Sequence, residues 1–131
     1  MVGSSRDVRG RVLVIDDNLD CAHGLRLVLG TEGYEAEVAG GGAQGLDRAR
    51  ELVPDIVLCD IEMPGIDGLQ LARTMRADPL LAGATLVALT GHGDPDKISR
   101  VLAAGFDAHL IKPVFVEDLL EVLDRLASRR P

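Results

Sequence analysis

Residues 56–68 read Ile56-Val57-Leu58-Cys59-Asp60-Ile61-Glu62-Met63-Pro64-Gly65-Ile66-Asp67-Gly68. Four apolar residues in a row suit a strand covered on both faces, because a half-exposed strand would alternate. An acid closes the run, and Met63-Pro64-Gly65 is a turn signature. Asp67-Gly68 then opens a helix to about Ala77, with Asp67 as its cap. The local unit is strand, acid, turn, helix.

The unit recurs outward in both directions. Val12-Leu13-Val14-Ile15 ends in Asp16-Asp17. A helical pattern over 19–32 follows, with Ala22, Leu25, Val28 and Leu29 on one side, Asp17 or Asn18 as cap and Gly33 as stop. Tyr34 to Ala39 alternates like a half-exposed edge strand. Gly40-Gly41-Gly42 precedes a helix near 43–53 that Pro54 ends. Leu86-Val87-Ala88-Leu89 ends in Thr90, and Pro95 suits the first turn of the next helix. That helix carries Ile98, Val101 and Leu102 on one face and stops at Gly105. A short strand near 108–111 runs into Lys112-Pro113. The last helix, about 116–128, has Leu119, Leu120, Leu123 and Leu126 at helical spacing.

Strand and helix alternating five times imply an α/β fold with a parallel sheet covered on both faces. A doubly wound sheet of five strands takes the order 2-1-3-4-5, the flavodoxin-like arrangement, with right-handed crossovers. Its switch point lies between strands one and three, where such sheets bind ligands. Asp16, Asp17 and Asp60 would meet there, beside Thr90 and Lys112.

The 131 residues suggest one domain: a lead-in over 1–10, the folded unit over 11–128 and a tail over 129–131. A chain of this size can bury an apolar core without staples. The net charge of −7 argues against direct binding to DNA or RNA. Cys21 and Cys59 have no metal-ligand spacing and suit reduced thiols acting as small hydrophobes. No apolar stretch is long enough to cross a membrane, and no signal-peptide pattern opens the chain, so a cytoplasmic protein is expected.

Three converging carboxylates repel one another unless one is protonated or a cation neutralises them. Oxygen ligands without His or Cys favour Mg²⁺, or Mn²⁺, over zinc. Lys112 adds a positive point charge and Thr90 a hydroxyl donor. Together these groups make a site for a dianionic phosphoryl group. A carboxylate can itself be the nucleophile, and Asp60, ending the central strand, is the best placed.

At this point the chain resembles the receiver domain of two-component response regulators. The likeness rests on Asp16-Asp17, on Asp60 in Cys-Asp-Ile-Glu-Met-Pro-Gly-Ile-Asp-Gly, on Leu-Thr-Gly around Thr90, and on Lys112-Pro113. Each piece alone is common, but the set in this order spans most of the chain. The resemblance implies that Asp60 accepts a phosphoryl group from a histidine kinase or a histidine phosphotransfer protein. It implies that Asp17, Asp60 and the Glu62 backbone carbonyl hold Mg²⁺, with Asp16 helping through water. Lys112 would pair with the phosphate, Thr90 would swing inward to it, and the bond before Pro113 would be cis. Added charge would switch the 91–128 face. The family carries an aromatic residue three positions before the lysine; His109 stands there, which alters the coupling to Thr90 and places a titratable ring at the switch. Glu62 and His92 would flank the water path and set phosphate lifetime.

Leu19, Cys21, Ala22 and the Pro113 loop are the expected rim for a phosphohistidine donor. The 94–128 face is the expected output surface, or a homodimer contact. The stretch Ala-Gly-Phe-Asp-Ala-His-Leu-Ile-Lys-Pro resembles receivers of hybrid histidine kinases, and the short termini fit a domain cut from one. The chain reads as a signalling module rather than an enzyme. The alternatives are a small phosphatase working through an aspartyl phosphate, with Glu62 as its acid, and a scaffold that never takes phosphate.

Overall fold

The computed structural model describes residues 9–91 and 93–128. The lead-in up to residue 8, His92 and the tail from 129 lie outside the described residues. Strands β1 (Gly10–Ile15), β2 (Tyr34–Ala39), β3 (Ile56–Asp60), β4 (Thr85–Thr90) and β5 (Ala108–Ile111) alternate with helices α1 (Leu19–Thr31), α2 (Gly42–Leu52), α3 (Gly68–Ala77), α4 (Pro95–Ala104) and α5 (Val116–Ser128). All pairings are parallel, and the sheet order is β2-β1-β3-β4-β5.

The continuous apolar runs are explained by two cores, one on each face of the sheet. Leu13 and Ile15, Val57 and Cys59, and Leu86 and Ala88 point to the core shared with Ala49 of α2, Leu71, Ala72 and Met75 of α3, and Val101 and Ala104 of α4. Their chain neighbours Val12 and Val14, Ile56 and Leu58, and Val87 and Leu89 point to the core shared with α1 and α5. With side chains alternating at period two, a central strand must be apolar at every position to bury both faces.

The helices depart from their sequence patterns in instructive places. On α4, Val101 and Ala104 are buried while Leu102 is half exposed. The face of α4 is therefore rotated from the 98-101-102 stripe, and it leaves Ile111 at the sheet edge 48% exposed. On α5, Val122 joins Leu119, Leu123 and Leu126 in the core, and Leu120 is only partly buried. The fully buried residues of α2 are the small Gly42, Gly45 and Ala49, with Leu46 and Leu52 packed partly buried against the same core. A β-carbon on Gly45 would meet Ile15 Cδ1 at 2.6 Å, so the glycine lets the helix lie close on β1.

Strand register brings the site residues level. Asp60 pairs with Leu89 and Thr90 with Ile111, and β1 runs beside β3 with Ile15 opposite Cys59. The C-terminal ends of β1, β3, β4 and β5 therefore form one edge.

Candidate functional site

Asp16 follows the last residue of β1 and is fully buried. Its N–H donates to the Ala39 carbonyl at 3.1 Å, continuing the ladder to β2. Its Oδ1 accepts the Asn18 N–H at 3.0 Å. Asn18 in turn caps α1 by accepting the Cys21 N–H at 3.1 Å, which settles the choice between Asp17 and Asn18. Asp17 is thereby left outside the cap, exposed at the rim.

Asp60 is the last residue of β3 and is 5% exposed. Its Oδ1 accepts the Glu62 N–H at 3.0 Å. The loop beyond it is tied down by Ile61 N–H donating to Leu89 O and by Gly68 N–H donating to Ile61 O, both at 3.2 Å. Gly68 is needed there: a β-carbon would stand 2.5 Å from Ile61 Cα and 2.7 Å from Asp60 O. Across the edge, Lys112 N–H donates to Thr90 O at 2.8 Å, and the Lys112–Pro113 bond is cis. Thr90 is fully buried.

The charged groups converge. One oxygen from each of Asp16, Asp17 and Asp60 lies within 4.8 Å of the other two. Lys112 Nζ lies 3.1 Å from Asp16 Oδ2 and 3.4 Å from Asp60 Oδ2. Burial raises the Asp60 carboxyl above the ordinary range and Asp16 adds to this, while the Glu62 N–H and Lys112 pull it down; the net direction is up. Burial lowers Lys112, but the hydrogen bond and charge of Asp16 and the charge of Asp60 outweigh it and raise the ammonium above its usual value. Three oxygen donors without imidazole or thiolate fit a hard divalent cation. Cys59, beside Asp60, is turned into the core; burial drives its thiol far up, which keeps it a protonated hydrophobe.

The structure thus brings Asp16, Asp17, Asp60 and Lys112 into one cluster, with Thr90 on the neighbouring strand end. His109 sits opposite Ala88 in register, half-buried, on the α4 side of the sheet. His92 lies outside the described residues. Two features had no sequence signal: the pairing of Lys112 with Asp16, 96 positions away, and a contact of Glu62 with Lys97 on α4. Among the described residues no helix is long and apolar enough to cross a membrane.

Known proteins share this fold. DNA-binding response regulator MtrA of Mycobacterium tuberculosis (strain ATCC 25618 / H37Rv) is 38% identical over 113 residues, covering 86% of this chain and 48% of MtrA. The chain spans about half the length of the curated relatives it matches. A putative response regulator from Chloroflexus aurantiacus is similar in structure with a TM-score of 0.86 and 32% identity, covering 92% of this chain and 98% of the other. Chemotaxis protein CheY4 of Vibrio cholerae superposes with a TM-score of 0.83 at 29% identity, covering 88% and 96%. These relatives do not support the leaning toward a hybrid kinase drawn from residues 104–113. The profile of the response regulator receiver domain matches residues 12–124, and the chain belongs to that family of two-component signalling modules.

Proposed function

We propose that the chain is a phosphoacceptor: Asp60 takes a phosphoryl group from the phosphohistidine of a histidine kinase or histidine phosphotransfer protein. The observation that carries this is the cluster itself, with oxygens of Asp16, Asp17 and Asp60 within 4.8 Å and Lys112 Nζ reaching two of the acids. A buried carboxylate at the end of the central strand supports the reading of Asp60 as the nucleophile. Lys112, already between two acids, supplies positive charge for the transferred group's oxygens. Thr90 supplies a hydroxyl from the next strand end.

Mg²⁺, or Mn²⁺, would be held by Asp17, Asp60 and the Glu62 carbonyl, with Asp16 acting through water, and would neutralise the charge gathered there. Phosphorylated Asp60 carries about −1.5 to −2 charges at neutral pH. Thr90 and Lys112 turn toward it, and the change spreads to the 91–128 face, with His109 in place of a larger ring. Glu62 and His92 bear on how long the acyl phosphate lasts. The donor docks at the start of α1 and the Pro113 loop. The 94–128 face, where Leu102, Ile111 and Phe115 are exposed, serves output or homodimer contact.

The test is incubation with Mg²⁺ and acetyl phosphate, followed by intact mass. The wild type should gain one phosphoryl group, lose it at alkaline pH, and gain none in EDTA. Asp60→Asn should gain none. Phosphoryl uptake undiminished in Asp60→Asn would defeat the proposal.

A further inference from the structure

Arg76 stands in the last turn of α3, at the end of the sheet away from the acidic cluster. Its Nε donates to Gly105 O at 2.8 Å, its Nη1 to Ala82 O at 2.8 Å and Ala84 O at 2.7 Å, and its Nη2 to Asp107 Oδ2 at 2.8 Å. The same Asp107 oxygen accepts the Leu86 N–H at 2.8 Å, and Asp107 N–H donates to Leu86 O at 2.7 Å. One side chain thus ties the end of α3, the loop into β4, the cap of α4 and the entry to β5. Gly105 caps α4 at φ 117°, and a β-carbon there would stand 2.7 Å from Arg76 Cγ. A planar fork of fixed donors can meet three carbonyls and a carboxylate at once, whereas a lysine offers a single point charge.

The other end of α4 is held differently. Asp94 caps it by accepting the Lys97 N–H at 2.9 Å. Pro95, Asp96, Ser99 and Arg100 are exposed, and the buried side chains of the helix, Val101 and Ala104, both lie in its second half. Segments with few buried contacts open at lower free energy than packed ones. The loop into α4 leaves from Thr90 and lies against β5, where a β-carbon on Gly93 would meet Ile111 Cδ1 at 2.5 Å.

We propose that Arg76 is a positioning residue that makes the far end of α4 a fixed pivot, so that a change of state at Asp60 displaces the first half of the helix and leaves the second half in place. The displacement rests on the reading of Asp60 as acceptor; the anchor does not. Movement of Thr90 toward a new charge pulls on the near end of a helix about 15 Å long. Four charge-assisted hydrogen bonds hold the region of the other end. The surface that differs between states is then Lys97 and Ile98 together with Ile111, against which the Gly93 loop lies. Leu102, although exposed, belongs to the part that stays. A partner that reads the state contacts Ile98 and Ile111, and a contact limited to Leu102 is blind to it.

The test is amide hydrogen exchange and amide chemical shifts on wild type, Arg76→Gln and Asp107→Asn, in Mg²⁺ with and without beryllofluoride. Without beryllofluoride, exchange in the wild type should be slower at Gly105 and Asp107 than over 97–100, by about tenfold or more. Arg76→Gln should remove most of that difference. Beryllofluoride should shift wild-type amides over 93–100 and at Ile111 and leave 102–107 in place, whereas in Arg76→Gln the shifts should run through 107. Should Arg76→Gln fail to fold, Asp107→Asn decides in the same way, since it drops the charge facing Arg76 and keeps an acceptor for the Leu86 N–H. Equal exchange at the two ends of wild-type α4 overturns the anchor, with no ligand involved. Wild-type shifts as large over 102–107 as over 93–98 overturn the pivot, and shifts that stop at 100 in the variants overturn the role of Arg76. Polarised exchange with no response to beryllofluoride anywhere overturns the acceptor reading and the displacement that rests on it, and leaves the anchor standing.

Discussion

Lys112 donates to Asp16 at 3.1 Å across 96 positions of chain, and Asp16 is fully buried. A buried carboxylate without a partner is costly, and Asp16 is offset by this ammonium and by the Asn18 N–H. The same Nζ lies 3.4 Å from Asp60, so one lysine serves two acids. Lys112 is a structural counter-charge as well as a candidate phosphate ligand.

Replacing Lys112 by methionine should therefore lower stability. A broken buried pair costs about 3–5 kcal/mol, but Lys112 is 27% exposed, so about 1–3 kcal/mol is expected. Urea unfolding in EDTA at neutral pH measures it. The sign with pH follows from the raised lysine value: its contribution is whole below the ordinary lysine range and is lost as pH rises through the folded value. The wild-type advantage over Lys112→Met should thus fade at strongly alkaline pH.

Asp60 gives the opposite sign. Its folded value is raised, chiefly by burial, so the native state holds its proton more tightly than the unfolded chain does. Stability then falls as pH rises from the ordinary carboxylate value of about 3.9 through the folded value. Asparagine has no such term. In EDTA, Asp60→Asn should be as stable as wild type near pH 4 and more stable at pH 7.5, seen as a higher unfolding midpoint. A constant gap between the two pH values would mean that Asp60 does not titrate in this way.

The fold was legible in the sequence because each layer of information agreed. Unbroken apolar runs at 12–15, 56–59 and 86–89 announce strands buried on both faces, and the structure divides each run between two cores. The order 2-1-3-4-5 followed from counting units. Finer packing was not legible. The stripe Ile98, Val101, Leu102 differs by a small rotation from the observed buried pair Val101 and Ala104, and helical periodicity does not resolve a rotation of that size. The fully buried residues of α2 are glycine and alanine, which carry almost no hydrophobic signal, while its Leu46 and Leu52 are only partly buried. At the site, strand ends predicted the meeting of the acids, since topology alone places them. The contacts of Lys112 with Asp16 and of Lys97 with Glu62 depend on where flexible side chains come to rest, which spacing does not encode.

The two neighbouring acids Asp16 and Asp17 should separate in experiment. Asp16 is buried with an oxygen on Asn18 N–H and another on Lys112, so Asp16→Asn should destabilise the protein even in EDTA. Asp17 is exposed and outside the cap, so Asp17→Asn should leave stability in EDTA unchanged. If the cluster holds Mg²⁺, saturating metal should raise wild-type stability, by about 2.7 kcal/mol at a hundredfold excess over Kd. Asp17→Asn should lose most of that gain. Thermal midpoints with and without Mg²⁺ decide; an equal metal-dependent rise in both proteins would remove Asp17 from the ligand set.

Gly68 and Gly24 provide a matched pair of glycine-to-alanine changes inside helices. At Gly24, on exposed α1, a β-carbon meets nothing within 4 Å, so Gly24→Ala should stabilise by about 0.4–1 kcal/mol. At Gly68 the new carbon would stand 2.5 Å from Ile61 Cα and 2.7 Å from Asp60 O. Both are backbone atoms, and Gly68 N–H itself bonds to Ile61 O, so neither side can give way without moving the chain that carries Asp60. Gly68→Ala should destabilise by about 1–3 kcal/mol. It should also slow phosphorylation by acetyl phosphate, because the displaced segment positions the carboxylate beside Lys112 and holds the Glu62 N–H on Asp60 Oδ1. Chemical denaturation and phosphorylation time courses on the two variants test the argument. A Gly68→Ala protein as stable and as reactive as wild type would show that the start of α3 can shift without carrying the end of β3 with it.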